Sequence, residues 1–419
     1  MTSFPAGMNL WYNTPILVEL ARAFSVDELG VSRIPTILQA GSLCMWSFFI
    51  IPLGDVVHRR PLLLLLMTCS ASLTVGLAIT DSLIAFEAIS FLTALVSVTP
   101  QVVTPLVADL APPNRRATMI ALNLSGILLE LLLARVLAGT ITEFSSYRNV
   151  YWMGVGGQYI MLLVLYFITP DMPIKNPDLS YFRVFISMAK FATTEPALIQ
   201  GCFILFFSSS IFSGFWVTMM FLLAGEPYRY STLVIGLFGL VGMVGVAMSP
   251  LTGRIIDGFV PWFAILVGIM LVISSQLIEA FGALGTDTSG VGAVVVAIIV
   301  LDLGVQATQV ATTTSIFSIA PEARARLNSL LVVSILLGQV MSTAAGTRLY
   351  VKHGHRFSSG MRVVFGGAEL LFLLMRGPYV RRWTWLGWEG GAQLKKNADI
   401  SCAAETPVYG DAKTCPSAK

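Results

Sequence analysis

Long apolar runs separated by short charged loops dominate the chain. Runs of about 20 mostly apolar residues, the length that crosses a bilayer as one helix, recur throughout it. They fall at roughly 4–22, 34–54, 61–80, 83–108, 117–141 and 149–169, then at 196–225, 231–252, 262–281, 290–318, 327–349 and 361–376. This pattern predicts an all-α integral membrane protein with twelve transmembrane helices in two pseudo-symmetric six-helix bundles. Residues 171–195, with Lys175, Asp178, Arg183 and Lys190, are polar and read as a linker. The linker divides an N-terminal bundle (1–170) from a C-terminal one (196–380). The polar tail, 381–419, is expected to be disordered and to lie on the same side as the linker.

The charged loops repeat. Asp55, Arg59 and Arg60 lie between Pro52 and Pro61, and Pro112-Pro113-Asn114-Arg115-Arg116 follows. In the second half Gly253-Arg254-Ile255-Ile256-Asp257 precedes Pro321-Glu322-Ala323-Arg324-Ala325-Arg326. Asp55 and Asp257 are 202 residues apart, Arg115 and Arg324 209. Two pairs of landmarks at nearly one offset point to a duplicated membrane unit, and secondary transporters often build one site between two such halves.

Composition narrows the class. Hydrophobic residues make up 55% of the chain and charged ones 12%, with mean hydropathy +0.78, where a soluble domain carries roughly 25% charge. Lipid is the expected surrounding, and the net charge of +3 without a basic run argues against nucleic acid. The five cysteines, Cys44, Cys69, Cys202, Cys402 and Cys415, have neither disulfide-framework nor metal spacing. No nucleophile-elbow, zincin, Walker or Rossmann pattern occurs, so neither catalytic residues nor a cofactor are expected. With the 55–60 loop in the cytoplasm, roughly two thirds of the Lys and Arg fall on that side. The termini are then cytoplasmic and the plasma membrane is the default location. The 348–362 loop, with Arg348, Lys352, Arg356 and Arg362, is the exception.

Polar residues inside the spans mark the solute path. Asp302, Gln306, Gln309 and Thr313 follow one face of the tenth span. Asp302 lies near mid-bilayer, where a charge is costly, so it must face water, find a partner or bind a proton. Glu130 and Arg135 share the fifth span but diverge by about 140°, so each needs a partner on another helix. Arg135 is a candidate contact for an anionic solute or a counter-charge to Asp302. Gln101 in the fourth span and Asn9 and Tyr12 in the first are further cavity candidates, as are Gln39, Gln158, Gln200 and Trp216. Gly236, Gly239, Gly242 and Gly245 recur every three residues and read as close helix contact or flexibility rather than a binding site.

These motifs, taken in order, resemble the major facilitator superfamily over nearly the whole chain. The residues that carry the resemblance include Asn9-Leu10-Trp11-Tyr12-Asn13-Thr14-Pro15-Ile16-Leu17, Pro52-Leu53-Gly54-Asp55-Val56-Val57-His58-Arg59-Arg60 and the Thr99–Arg116 segment. Leu133-Ala134-Arg135-Val136-Leu137-Ala138-Gly139, Leu301-Asp302-Leu303-Gly304-Val305-Gln306-Ala307 and Pro321–Asn328 complete them. The branch resembled is the drug or sugar efflux type. The resemblance implies a carrier that moves a small solute by rocking two bundles about a central cavity; a monomer is the default expectation. Proton coupling and export are expected. By the same resemblance Asp55 meets the start of the eleventh helix, and Arg59 or Arg60 pairs with Asp109. Gly253, Arg254 and Asp257 gate the other half, with Arg324 and Arg326 at the start of helix eleven. Ile51 and His58 stand where the family has glycine, Glu130 stands where it has small residues, and the first helix is short at its start. A transport-inactive sensor of the same fold is the alternative.

Overall fold

In the computed structural model the described residues are 9, 11–26, 28–31, 33–45, 59–97, 104, 107–108, 111–112, 115–168, 181–226, 228–282 and 288–389. Among them the chain is helical and contains no β-strand. The first half comprises α1 (Leu17–Phe24), α2 (Glu28–Val31), α3 (Arg33–Met45), α4 (Arg59–Ile79), α5 (Leu83–Val96), α6 (Arg116–Phe144) and α7 (Arg148–Ile168). The linker holds α8 (Tyr181–Thr194). The second half comprises α9 (Pro196–Ala224), α10 (Thr232–Gly258), α11 (Pro261–Gly282), α12 (Thr288–Phe317), α13 (Arg324–His353) and α14 (His355–Leu374). Eight described helices are long and apolar enough to cross a membrane, and α5 and the start of α10 are shorter apolar helices.

Local chemistry sets the helix boundaries. Pro196 and Pro261 open α9 and α11, positions where the missing N–H costs nothing. The Ser231 hydroxyl accepts from Val234 N and caps α10. Gly354, at φ 83°, turns the chain between α13 and α14 in a conformation that favours glycine.

Within the first half, Phe24, Phe86, Tyr147, Tyr151 and Tyr12 form an aromatic cluster with ring centroids 5.4–6.5 Å apart. The halves meet along α6 and α10, which run antiparallel with backbone close to backbone. A Cβ on Gly236 would lie 3.0 Å from the Arg135 carbonyl oxygen and 3.1 Å from Gly139 Cα. One on Gly253 would lie 2.8 Å from Thr118 Cα. The glycine row in the eighth span is this seam. A second contact joins α3 to α9 and α13, where Gln39 Nε2 donates to Ser213 Oγ (3.3 Å) and Gln39 Oε1 accepts from Thr343 Oγ1 (3.0 Å).

Two expectations are corrected. The last span begins at His355 rather than near 361, because Arg362 is fully buried inside the bundle with an acidic partner and is not a loop residue. Disorder from 381 does not extend to residues 381–389, which fold back over the linker end of the second half. There Arg382 Nη2 lies 2.6 Å from Glu195 Oε1, giving a buried carboxylate its counter-charge. Trp388 Nε1 donates to the Leu374 carbonyl (2.9 Å), and the ring packs edge-on against Trp262.

The bare seam leads to a direct comparison. Gly236→Ala meets backbone that cannot give way and is expected to cost about 1–3 kcal/mol. Gly156→Ala, exposed on α7 with open space around it, is expected to be neutral or to gain up to about 1 kcal/mol from helix propensity. Thermal unfolding of the detergent-solubilised variants separates the two, and equal melting temperatures would rule out a tight seam.

Candidate functional site

Midway along the seam the structure gathers three groups with no hydrogen bond among the described residues. Arg135 on α6 is fully buried, and its guanidinium carbon stands 3.9 Å above the Trp216 ring and 5.7 Å from that of Trp11. None of its side-chain nitrogens has a hydrogen-bond partner, nor has Trp216 Nε1. Asp302 on α12 is fully buried with both oxygens unbonded, and a Cβ on Gly242 would come within 2.4 Å of Oδ2. Arg135 and Asp302 act on each other electrostatically yet form no ion pair within 4.0 Å. The indole face balances part of the guanidinium charge, but five N–H donors remain for an oxyanion.

Of the rest of the α12 stripe, Gln306 turns toward α6. Gln306 Nε2 reaches the Ala121 carbonyl oxygen at 3.5 Å, Thr313 is buried, and Gln309 is half-buried. Glu130, also buried, lies within electrostatic reach of Tyr12 and well around α6 from Arg135. Tyr12 itself belongs to the aromatic cluster.

Asn9 is drawn away from the seam into a network inside the first half. Its amide donates to Ser70 Oγ (3.0 Å) and Ser97 Oγ (3.3 Å), and Gln158 Nε2 donates to Asn9 Oδ1 (3.0 Å) and Thr74 Oγ1 (3.2 Å). This ties α4, α5 and α7 to the first segment. Trp11, two residues on, is the member of that segment that reaches Arg135. Gln101 lies outside the described residues.

A cavity of about 560 Å³ opens at the end of the seam away from α8. It is lined from both halves, by Glu19, Arg22 and Glu143 on one side and Arg229 and Tyr230 on the other. Met220, which also lines it, is one helical turn from Trp216. Across this end Glu143 Oε2 accepts from Leu233 N (3.3 Å) at the start of α10.

At the linker end the geometry is reciprocal. Asp257, at the end of α10, accepts from Ala117 N and Thr118 N (3.0 Å each) and from Thr118 Oγ1 (2.6 Å). It thus sits on the positive end of the α6 dipole. Gly253 lets α10 come that close. Arg324 Nη1 donates to the Ala108 carbonyl of the first half (3.0 Å), and Arg326 Nη1 to Ser187 Oγ on α8 (2.8 Å). Arg60 donates to the Tyr166 carbonyl near the end of α7 (2.8 Å). Arg254 is exposed. Asp55, Asp109 and the Arg59 side chain lie outside the described residues.

Sequence reasoning overlooked a charge cluster in the second half. Arg362 on α14 pairs with Glu279 on α11, both fully buried. Arg362 also donates to Gln276 Oε1 (2.6 Å), Thr218 Oγ1 (2.8 Å), Ser358 Oγ (3.1 Å) and Ser359 Oγ (3.0 Å). His355 Nδ1 stands 3.8 Å from Glu279 Oε1. The signal was present as Gln276 and Glu279 spaced i, i+3 on one helix face.

Two pseudo-symmetric helical halves, with unsatisfied charges on the seam between them and carboxylate contacts at both of its ends, define a two-bundle membrane carrier. Residues 1–343 match the profile of the Major Facilitator Superfamily, and the chain belongs to this family of transporters. It is 34% identical over 334 residues to the uncharacterized transporter YgaY of Escherichia coli O157:H7, covering 78% of this chain and 82% of that protein. Identity to the probable transporter SCO4007 of Streptomyces coelicolor is 26% over 254 residues, 60% of this chain and 58% of that one. The fold is similar to the human organic anion transporter MFSD10, with TM-score 0.69 and 15% identity over 89% of this chain and 97% of that one. It is similar also to the proton:xylose symporter XylE, with TM-score 0.70 and 13% identity over 89% and 93%.

The Asp257 contact has a population signature. Asp257→Asn removes the charge from the α6 N-terminus, and a cap worth about 1.4 kcal/mol shifts the open-to-closed ratio at the linker end roughly tenfold. Spin labels at the exposed positions Arg115 and Arg254, which flank the seam, are expected to report a second, longer distance. An unchanged distribution would show that Asp257 does not hold this end.

Removing one member of the Arg362 pair leaves a buried charge without its partner. Glu279→Gln is expected to destabilise by about 3–5 kcal/mol, and Glu279→Leu with Arg362→Met to recover much of that loss. Thermal unfolding checks both. A single variant as stable as the wild type would mean the pair is solvated.

Proposed function

We propose that this transporter moves a small organic solute bearing an anionic group, coupled to protons, by alternating access across the α6–α10 seam. Arg135 meets the anionic group and Asp302 takes the proton. The supporting observation is the buried Arg135 guanidinium, held over Trp216 without a hydrogen bond to any described residue and with Asp302 in electrostatic reach but unpaired. Structural charges in the same membrane, such as Arg362, are saturated with partners. A guanidinium left with free donors is arranged for a ligand.

The carrier alternates by opening one end of the seam while the other stays closed. Asp257 latches the cytoplasmic end and Glu143 the outer end, with Arg324 bridging to the Ala108 carbonyl. Solute and proton bias this equilibrium only through their different affinities for the two forms. Asp302 is loaded when its end is open, and its neutral form lets the occupied seam close without an unpaired charge. The reading places the linker and both termini in the cytoplasm of a plasma-membrane protein, with export the favoured direction.

The test is flux into proteoliposomes under inward and then outward proton gradients, with carboxylated, phosphorylated and neutral solutes. Gradient-driven movement of an anionic solute is expected. Asp302→Asn should abolish the drive by the gradient, and Arg135→Met should reduce anion flux at least tenfold (~1.4 kcal/mol). Movement of neutral solutes alone would remove Arg135 from recognition. No flux under either gradient, with folded protein, would favour a transport-inactive sensor.

A further inference from the structure

Four ionisable residues recur at seven-residue intervals along α14 and just past it: His355, Arg362, Glu369 and Arg376. Seven residues are nearly two helical turns, so the four share a face. That face looks into the second half, where Arg362 and Glu369 are fully buried. His355 and Arg362 are engaged with Glu279, and Arg376 Nη2 donates to the carbonyls of Arg381 and Arg382.

Glu369 differs from the rest of the stripe. Both carboxyl oxygens are buried, and neither has a hydrogen-bond partner among the described residues. No described cation lies within 4.0 Å. The packed helices offer little charge. α9 has no charged residue between Pro196 and Ala224, and α11 has Glu279 alone. α13 carries Arg324, Arg326, Arg348, Lys352 and His353 only at its ends. Along α14 itself Arg362 and Arg376 are each about 10 Å away. Ser208 on α9 lies beside the carboxyl, and Phe203 and Phe207 of α9 stack with Phe372 nearby. An isolated carboxylate is costly in such surroundings and a neutral acid is not.

A small cavity lies one turn further on. A cavity of about 100 Å³ at the linker end of the second half is lined by Gln200, Thr312, Ser315, Leu373 and Arg376. That is room for water among polar groups, and Leu373 follows Glu369 by one helical turn.

We propose that Glu369 is a second proton-binding site of this transporter, separate from the Arg135–Asp302 cluster and exchanging with the linker side through this cavity. Uptake of one proton by a carboxylate oxygen forms the neutral acid. Release to cavity water restores the carboxylate between Arg362 and Arg376, the two cations of the stripe that attract it. The site is a property of the second half and does not depend on which solute crosses the seam.

Infrared spectroscopy of the full chain in lipid nanodiscs tests this without a solute. The wild type is expected to show a protonated carboxyl C=O band that shifts in D2O and fades as pH rises. Glu369→Gln should remove a component of it that Asp302→Asn leaves in place. If Glu369→Gln does not fold, Glu369→Asp keeps the acid on a shorter stem and must move the band. Absence of the band, its persistence undiminished in Glu369→Gln, or no movement in Glu369→Asp would overturn the assignment. So would a band that neither exchanges with D2O nor titrates, because a fixed acid is not a proton site. Failed solute transport together with an exchanging, titrating band would sink the central-site reading and leave this one standing.

Discussion

Backbone lies against backbone where α6 crosses α10, and the placement of the charged groups follows from that contact. Glycine at 139, 236 and 253 removes the side chains that would hold the helices apart, and inside lipid such close packing is the main force available between helices. Because the helices run antiparallel, each end of the seam presents one helix N-terminus beside the C-terminal turn of the other helix. The same pairing therefore recurs at both ends, Asp257 on the start of α6 and Glu143 on the start of α10. A carboxylate on a helix N-terminus is a modest interaction, in keeping with the latch role proposed for both residues.

The buried charges divide into two kinds. Arg362 with Glu279, and Arg382 with Glu195, have partners and hydrogen bonds that offset desolvation. They fix α11, α14 and the C-terminal segment within the second half. Arg135, Asp302 and Glu369 have no such saturation. Their cost is carried by the packing around them, through the Trp216 face at Arg135 and the Gly242 backbone at Asp302. Unsaturated charges of this sort are the ones to which the proposed solute and proton roles fall.

The membrane class and its two-bundle architecture were legible in the sequence, because a bilayer demands long apolar helices whatever their neighbours are. The glycine row showed its period in the sequence, and Arg135 and Asp302 stood out there through the cost of isolated charge. Tertiary structure alone decided which partners those residues found. Asn9 joined Ser70 and Gln158 inside one half, while Trp11, two residues further along, reached Arg135. Arg362, which sequence places in a loop, lies in a helix beside Glu279, and in residues 381–389 Arg382 meets Glu195. Period and composition report the environment a residue must enter. They carry no record of contacts between helices 80 or 180 residues apart, and those contacts decide whether a buried charge is neutralised in place or left available for function.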